Sequence, residues 1–334
     1  MSMPPTVIAA LEDVQSQLPS THVSLSRVGV TSVEKVIRIA QNGRHQLFYA
    51  RLECFVDLGP AQKGAHMSRF EEVVNDVIGE VVLGEAQFRA ETLAQHIAEQ
   101  VRERQDAQTA EVTITARYPE HKPAPVSGIE TQEIYSLLGT AVASDAGTRR
   151  LIGVRAQGMT ACPCAQKLVE ASSRDRLEAA GFSEEQIGQV FDAVPVATHN
   201  QRGLGTLYIG LCEGWGDTDI PAERLLEIVE GSMSSEIYEL MKRTDEGSVV
   251  EKAHRRPRFV EDCVREMIRG VVDGFSELDD EAFVFSRQEN LETIHQHNVV
   301  AERFGLLGEI RRELSSREHS PHHVSMREWL DGRA

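Results

Sequence analysis

The residues able to do chemistry crowd into the second half of the chain. "TACPCAQ" sets Cys162 and Cys164 on either side of Pro163, and "THNQRG" carries His199 and Arg202. "KRTDEGSVVE" holds Lys242, Arg243, Asp245, Glu246 and Glu251, "RFVED" holds Glu261 and Asp262, and "ETIHQHN" holds His295 and His297. Thiolate, imidazole and carboxylate together are the donors of a transition-metal site. Their spacing fits no zinc finger, and no C-x-x-C pair accompanies them. Ligands drawn from separate strands and turns suit a catalytic site better than a structural one. Two cysteines at spacing two also make a poor mutual disulfide, because the ring would be very tight.

Each candidate has a plain structural alternative. A lone cysteine is most often a small buried hydrophobe. Glu246 taken alone reads as solvated surface. Glu261, beside Val260 and near Val264, reads as bordering the core. His295 and His297 would share one side of an extended segment, as a surface pair or a ligand pair. His199 sits among Asn, Gln and Arg, which is not an apolar face. The chain has no P-loop, no G-x-G-x-x-G opening a helix and no G-x-S-x-G elbow, so a nucleotide would be held in another way.

The elements that position these residues are legible as period. "HVSLSRVGVTSVEKVIRI" and "HQLFYARLECFVDLG" alternate like strands, "SRFEEVVNDVIGEVVLG" and "AETLAQHIAEQVRERQ" have helical spacing, and "TAEVTITARYPEH" alternates again. After a Pro-containing loop, "HKPAPVSGIET", the order repeats. "RRLIGVRAQGM" and "GLGTLYIGLCEGW" read as strands, "PAERLLEIVEGSMSSEIYELMKR" and "RPRFVEDCVREMIRGVVDGF" as helices, and "DEAFVFSRQENLE" as a closing strand. Two such runs suggest a duplicated module. The stretch between "CPCAQ" and "VATHNQRG" is a helix-prone insertion, with "SEEQIGQVF" a capped start.

Composition bounds the function. The chain has 334 residues with 41% hydrophobic and 26% charged, enough for a substantial core. A net charge of -17 argues against non-specific binding to nucleic acid or anionic membrane, while leaving room for a local basic pocket. Only six of the 35 basic residues are lysine, a bias expected equally of a salt-rich cytoplasm and a GC-rich genome. No signal peptide or membrane span is read. Five cysteines, odd and sparse, fit a reducing cytoplasm rather than a disulfide framework.

In this order, "GAHMSRF", "TACPCAQ", "HNQRG", "LMKRTDE", "RPRFVEDCVR" and "ENLETIHQHN" resemble the signatures of type IB GTP cyclohydrolases, and more closely the archaeal methanopterin-pathway branch. The resemblance spans roughly residues 20 to 300. It implies an α+β tunnelling fold (T-fold), with two tandem ββααββ modules per chain and a ring-like barrel on oligomerisation. The boundaries it suggests are a loose segment over 1–20, a first module over 21–135, a second module over 136–305 with the insertion at about 167–195, and a tail over 306–334.

The activity implied is metal-dependent hydrolysis of the guanine ring of GTP. C8 leaves as formate, and 7,8-dihydroneopterin 2',3'-cyclic phosphate and diphosphate are formed. The metal implied is divalent, Fe(II) first, with Mn(II) or Zn(II) as alternatives. By the same resemblance Cys162 (with Cys164 in reserve), His199 and Glu246 are catalytic and metal-proximal. Either His295 or His297 supplies the late histidine, the former for proton transfer and the latter as ligand. Glu261 resembles the purine anchor, accepting the N1–H and exocyclic amine of guanine. Arg202, Lys242, Arg243 and Arg69 are candidates for the triphosphate. The expected assembly is a homo-oligomer, dimer or tetramer, with the site at a subunit interface.

One departure concerns distance: 37 residues separate Cys162 from His199, where shorter bacterial members keep the two motifs close. Three alternatives stand beside this reading. One is a type IB enzyme yielding 7,8-dihydroneopterin triphosphate. Another is a tunnelling-fold nitrile reductase using the cysteine turn and the "RFVEDCV" helix. The third is a non-enzymatic purine or metal binder.

Overall fold

The computed structural model describes residues 14–41, 44–83, 89–212, 220–316 and 318–332. Most of the segment expected to be loose, 1–20, lies outside the described residues. The chain divides into two compact units.

The first unit is built from the described residues up to Ala116, with Gly139–Arg150 and Leu330–Gly332. Strands β1 (Leu25–Gln41) and β2 (Arg44–Leu58) pair antiparallel, and β2 pairs with β3 (Ala110–Pro123). Along β2, Phe48, Ala50, Leu52, Cys54, Val56 and Leu58 are all buried. That period of two puts them on one face of the sheet. Helix α1 (Met67–Leu83) offers Phe70, Val73, Val74 and Val77 to the core, and α2 (Ala90–Gln105) offers Leu93, Ala94, Ile97, Ala98 and Val101. At i, i+3, i+4 and i+7, each helix buries one stripe. Helix α2 begins so close to the sheet that a Cβ on Gly139 would lie 2.4 Å from the Ala90 carbonyl carbon, so only glycine fits there.

The second unit comprises Arg117–Leu138 and Leu151–Trp329. Its elements follow β4 (Glu130–Ser144) and β5 (Gly147–Ala161), which run through both units. They are α3 (Pro163–Ala179), α4 (Glu184–Ala193), β6 (Asn200–Leu211), α5 (Ala222–Ser232), β7 (Ser235–Glu236), α6 (Arg243–Arg255), α7 (Val260–Gly274), β8 (Phe283–Leu291), β9 (Val299–Leu306), α8 (Leu307–Ser316) and α9 (Met326–Leu330). Helix α7 buries Val260, Cys263, Val264, Met267, Ile268 and Val271, a stripe that fits the sheet built by β8 and β9. Trp329 of α9 is 1% exposed and stacks on Phe283 with ring centroids 5.5 Å apart. Ser183 caps α4, and the Gln186 side chain returns to the Ser183 N–H, the capping pattern read in "SEEQ".

The sheet corrects the expected fold. Strands are hydrogen bonded in the order β1-β2-β3-β4-β5-β6-β8-β9, with β7 beside β5. Pairing is antiparallel at β1/β2, β2/β3, β5/β7, β6/β8 and β8/β9. Among the described residues the strands therefore form one nine-stranded antiparallel sheet with helices, and not a tunnelling-fold barrel of two tandem ββααββ modules. The physical reason lies at 130–161. β4, which the sequence reading left unassigned, is 15 residues long and joins β5 through a tight turn at Asp145 and Ala146. The pair carries the hydrogen-bond ladder onward from β3, so no module edge is left there.

A second correction concerns "PAERLLEIVEGSMSSEIYELMKR", expected as one helix. Only Ala222–Ser232 is helical. Beyond it the segment is taken up by β5: Gly158 pairs with Glu236, and Ala161 N–H donates to Ser234 Oγ at 3.1 Å. No helix among the described residues is long and apolar enough to cross a membrane.

Candidate functional site

Strand β5 ends at Ala161, and Cys162 is the N-cap of α3. Pro163 takes the first helical position, where a missing N–H costs nothing and a fixed φ starts the turn. Cys162 Sγ accepts the Ala165 N–H at 3.5 Å. Cys162 is half-buried and Cys164 exposed, whereas Cys54 and Cys263 are buried structural thiols, each pushed up to about 12 chiefly by burial.

The long insertion does not separate the motifs in space. Cys162 N–H donates to the His199 carbonyl at 3.1 Å. Thr198 Oγ1 donates to the Cys162 carbonyl at 2.9 Å. Gln166, 9% exposed, donates its amide to Val196 O at 2.8 Å and to His254 O at 2.6 Å. His254 Nε2 lies 3.3 Å from Thr198 O. Arg258 N–H donates to Ala161 O at 2.9 Å, which fixes the loop leading to Glu261 beside the cysteine turn.

His199 stands just before β6. Its Nδ1 is 3.0 Å from Gln201 Oε1 and 3.8 Å from Glu292 Oε2, and both carboxylate and imidazole side chains are largely buried. Gln201 in turn donates to Thr160 Oγ1 at 3.1 Å. Thr293 Oγ1 donates to Asn200 O at 3.1 Å, and Arg202 pairs with Leu291 across β6 and β8. These bonds bring the start of the late histidine loop to the His199 motif. His295 and His297 are not on an extended strand: they lie in the bends between β8 and β9, exposed, with rings stacked 5.2 Å apart at 10°.

Glu261 is exposed in the first turn of α7 rather than bordering the core. It lines a cavity of about 370 Å³ together with Val264, Arg265, Ile268, Ile310 and Leu314. That volume lies in the range of small-molecule sites, roughly 300–1,000 Å³.

Lys242, Arg243 and Glu246 are exposed around the N-terminus of α6. Glu246 is eight residues from His254 along the helix, about 12 Å, so the His254 contact with Thr198 does not carry Glu246 to His199. The turn is organised by Asp245, which is fully buried. Its carboxylate accepts from Val126 N–H at 2.8 Å, Ser127 N–H at 2.8 Å, Ser127 Oγ at 2.7 Å and Lys242 N–H at 2.8 Å. Burial pushes this carboxyl up, but the bonds from Ser127, Lys242 and Val126 outweigh it and hold Asp245 well below the usual carboxylate range. Arg69 lies in the first unit, where its guanidinium donates to Arg104 O at 3.0 Å.

Among the described residues, no three of His, Cys, Asp and Glu form a group that could hold a metal ion. Cys162 and His199 are joined through their backbones, and their side chains are of the soft-metal ligand type. The sequence reading assigned no role to Gln166, Thr198, Gln201, Asp245, His254 or Glu292. Gln166, Gln201 and Glu292 stood inside the quoted motifs, and their signal was a buried-type position occupied by a polar residue.

Comparison with known proteins gives the family. Residues 11–301 match the family described as "Type I GTP cyclohydrolase folE2". A "GTP cyclohydrolase MptA" from Methanococcus aeolicus is 41% identical over 309 residues, covering 90% of this chain and 99% of the relative. One from Methanocaldococcus jannaschii is 40% identical, covering 92% and 98%. Among solved structures, a uricase from Arthrobacter globiformis overlaps with TM-score 0.47 at 8% identity, covering 85% of this chain and 95% of that one. A thermostable AgUricase mutant overlaps with TM-score 0.49, also at 8% identity, covering 91% and 96%.

Proposed function

The chain belongs to the type I GTP cyclohydrolase family, and from that premise we propose how its own residues open the guanine ring. It is an enzyme acting on GTP, as the motif resemblance implied. The observation that carries the site assignment is the bond from Cys162 N–H to the His199 carbonyl, which joins the two motifs that hold thiol and imidazole.

Cys162 and His199 are the residues that would hold a divalent metal, Fe(II) first, with Mn(II) or Zn(II) able to substitute. Such an ion supplies Lewis acidity and a water of lowered pKa when bound. His199 presents Nε2, since Nδ1 is engaged by Gln201. Among the described residues this chain does not bring Glu246 and His297 to that pair, so in this reading they complete the ligand set from a second copy, and His295 moves a proton. Glu261 accepts the N1–H and the amine of guanine, and its cavity supplies apolar walls for a ring. Adenine lacks both donors, so this carboxylate selects guanine. Arg202, Lys242 and Arg243 are the cations for the triphosphate. Water adds to C8 and opens the ring to a formamide. A second water hydrolyses that formamide, the two nitrogens N7 and N9 each take up a proton, and C8 leaves as formate; the later closure of the pterin ring returns one water.

The product we favour is 7,8-dihydroneopterin 2',3'-cyclic phosphate with diphosphate, as the motif resemblance implies. 7,8-Dihydroneopterin triphosphate is the alternative. We place the enzyme in the cytoplasm as a dimer or tetramer. Lys242, Arg243, Glu246, His295 and His297 are exposed in this chain and so accessible to a second copy. Anaerobic incubation with GTP and Fe(II), followed by phosphate analysis of the pterin, tests both activity and product. A pterin still carrying three phosphates would rule out the cyclic phosphate, and no pterin with Fe(II), Mn(II) or Zn(II) would rule out the site reading.

A further inference from the structure

We propose that Gln201 is a positioning residue for His199. It holds the ring as the Nδ1–H tautomer and leaves the Nε2 lone pair bare, for a metal or for a proton taken from substrate. The inference rests on the catalytic reading of His199 given above.

Gln201 is 6% exposed and lies on β6, and Thr160 is fully buried at the end of β5. These two strands are hydrogen-bonded neighbours in the sheet. Gln201 Oε1 is 3.0 Å from His199 Nδ1, and Gln201 Nε2 donates to Thr160 Oγ1 at 3.1 Å. A carbonyl oxygen only accepts, so the nitrogen facing it must carry the proton. In a neutral imidazole the other nitrogen is then bare.

The opposite amide orientation would aim Nε2 at Nδ1 and require Nδ1 to be bare. Glu292 decides against it. Its Oε2 lies 3.8 Å from the same Nδ1, and a bare nitrogen there would face a carboxylate. Two acceptors around Nδ1 thus agree on one tautomer. A buried amide is costly unless satisfied at both ends. Here one end meets a buried threonine hydroxyl and the other the histidine, and turning the amide would set Nε2 against a bare Nδ1, the arrangement Glu292 opposes. His199 is also tied at its backbone, where its carbonyl accepts the Cys162 N–H at 3.1 Å. Ring orientation and cysteine turn are therefore set by the same few bonds.

The test reads the tautomer without turnover. Ring-nitrogen shifts of His199 are recorded in protein labelled with 15N-histidine and assigned by their loss in His199→Ala. The wild type should carry its proton on Nδ1, and Gln201→Leu, which leaves only Glu292 at 3.8 Å beside that nitrogen, should weaken the preference. In turnover, Gln201→Leu should lower kcat about 10–100-fold with KM for GTP held within about twofold. Thr160→Val frees the amide and should give part of the same loss, which Thr160→Ser should restore. A wild-type ring protonated on Nε2 overturns the proposal, and so does Gln201→Leu with unchanged ring signals and kcat. The wild-type spectrum decides the tautomer even where a variant folds poorly. His199→Ala separates the two readings. Full turnover in that variant removes the catalytic role of His199. Lost turnover there with a silent Gln201→Leu removes only the positioning role.

Discussion

The amide of Cys162 donates to the carbonyl of His199 at 3.1 Å, although the two stand 37 positions apart in the chain. The intervening helices α3 and α4 bury little beyond Gln166 and Ile187. They extend the chain without moving its ends apart. The cysteine turn and the histidine strand are thereby one local structure, and the predictions below follow from it.

Cys162→Ala and His199→Ala should each lose the retained metal and more than about 100-fold in kcat, since even outer partners of a ligand cost roughly 10–100-fold. Metal analysis of anaerobically purified protein, alongside the rate, checks this. Cys164→Ala should cost less than Cys162→Ala, because Cys164 is exposed and Cys162 is the residue bonded to His199. The reverse order would move the assignment to Cys164.

Gln166→Leu should destabilise the chain by about 1–3 kcal/mol for each buried acceptor it leaves unpaired. Those acceptors are the carbonyls of Val196 and His254. Denaturant midpoints measure the loss, and kcat should fall with it because the same amide ties the cysteine helix to the segment before His199.

Asp245 predicts an acid-sensitive turn. Its folded carboxyl is depressed by the bonds it accepts. It therefore contributes stability that is fully present above the unfolded value of about 3.9 and is lost as pH falls through the folded value. Thermal melts between pH 6 and 2 should show the wild type losing Tm in this window and Asp245→Asn showing a flatter profile from a lower start. Parallel profiles would contradict the assignment.

Glu261→Ala should weaken GTP use through KM, by on the order of 100-fold in kcat/KM, because guanine donors lose a charged two-pronged acceptor. Steady-state kinetics with GTP and with inosine triphosphate, which lacks the amine, check it. The wild-type preference for GTP should collapse in the variant.

Much of the first half was legible because its strands bury every second residue and its helices one stripe, as Phe48 to Leu58 and Leu93 to Val101 show. β4 was not legible. "EIYSLLGTAVAS" buries nearly every position of its second half, so no alternation announces a strand there. β7 was hidden in a helical pattern because pairing with Gly158 and Met159 overrides local propensity. The site was legible as residue types in order and family resemblance. Its geometry was not, because Gln166, Gln201 and Glu292 act through bonds to residues 30 to 93 positions away or through a ring they merely orient. Glu246 remained apart from His199 for the opposite reason: α6 is a rigid rod whose His254 end, not its Glu246 end, meets the histidine motif.

The most direct measurement is formate release from GTP under anaerobic conditions with Fe(II), in the wild type and in Cys162→Ala and His199→Ala. The account predicts one formate per GTP consumed in the wild type and essentially none in either variant. Full formate release by both variants, or none by the wild type with Fe(II), Mn(II) or Zn(II), would contradict it.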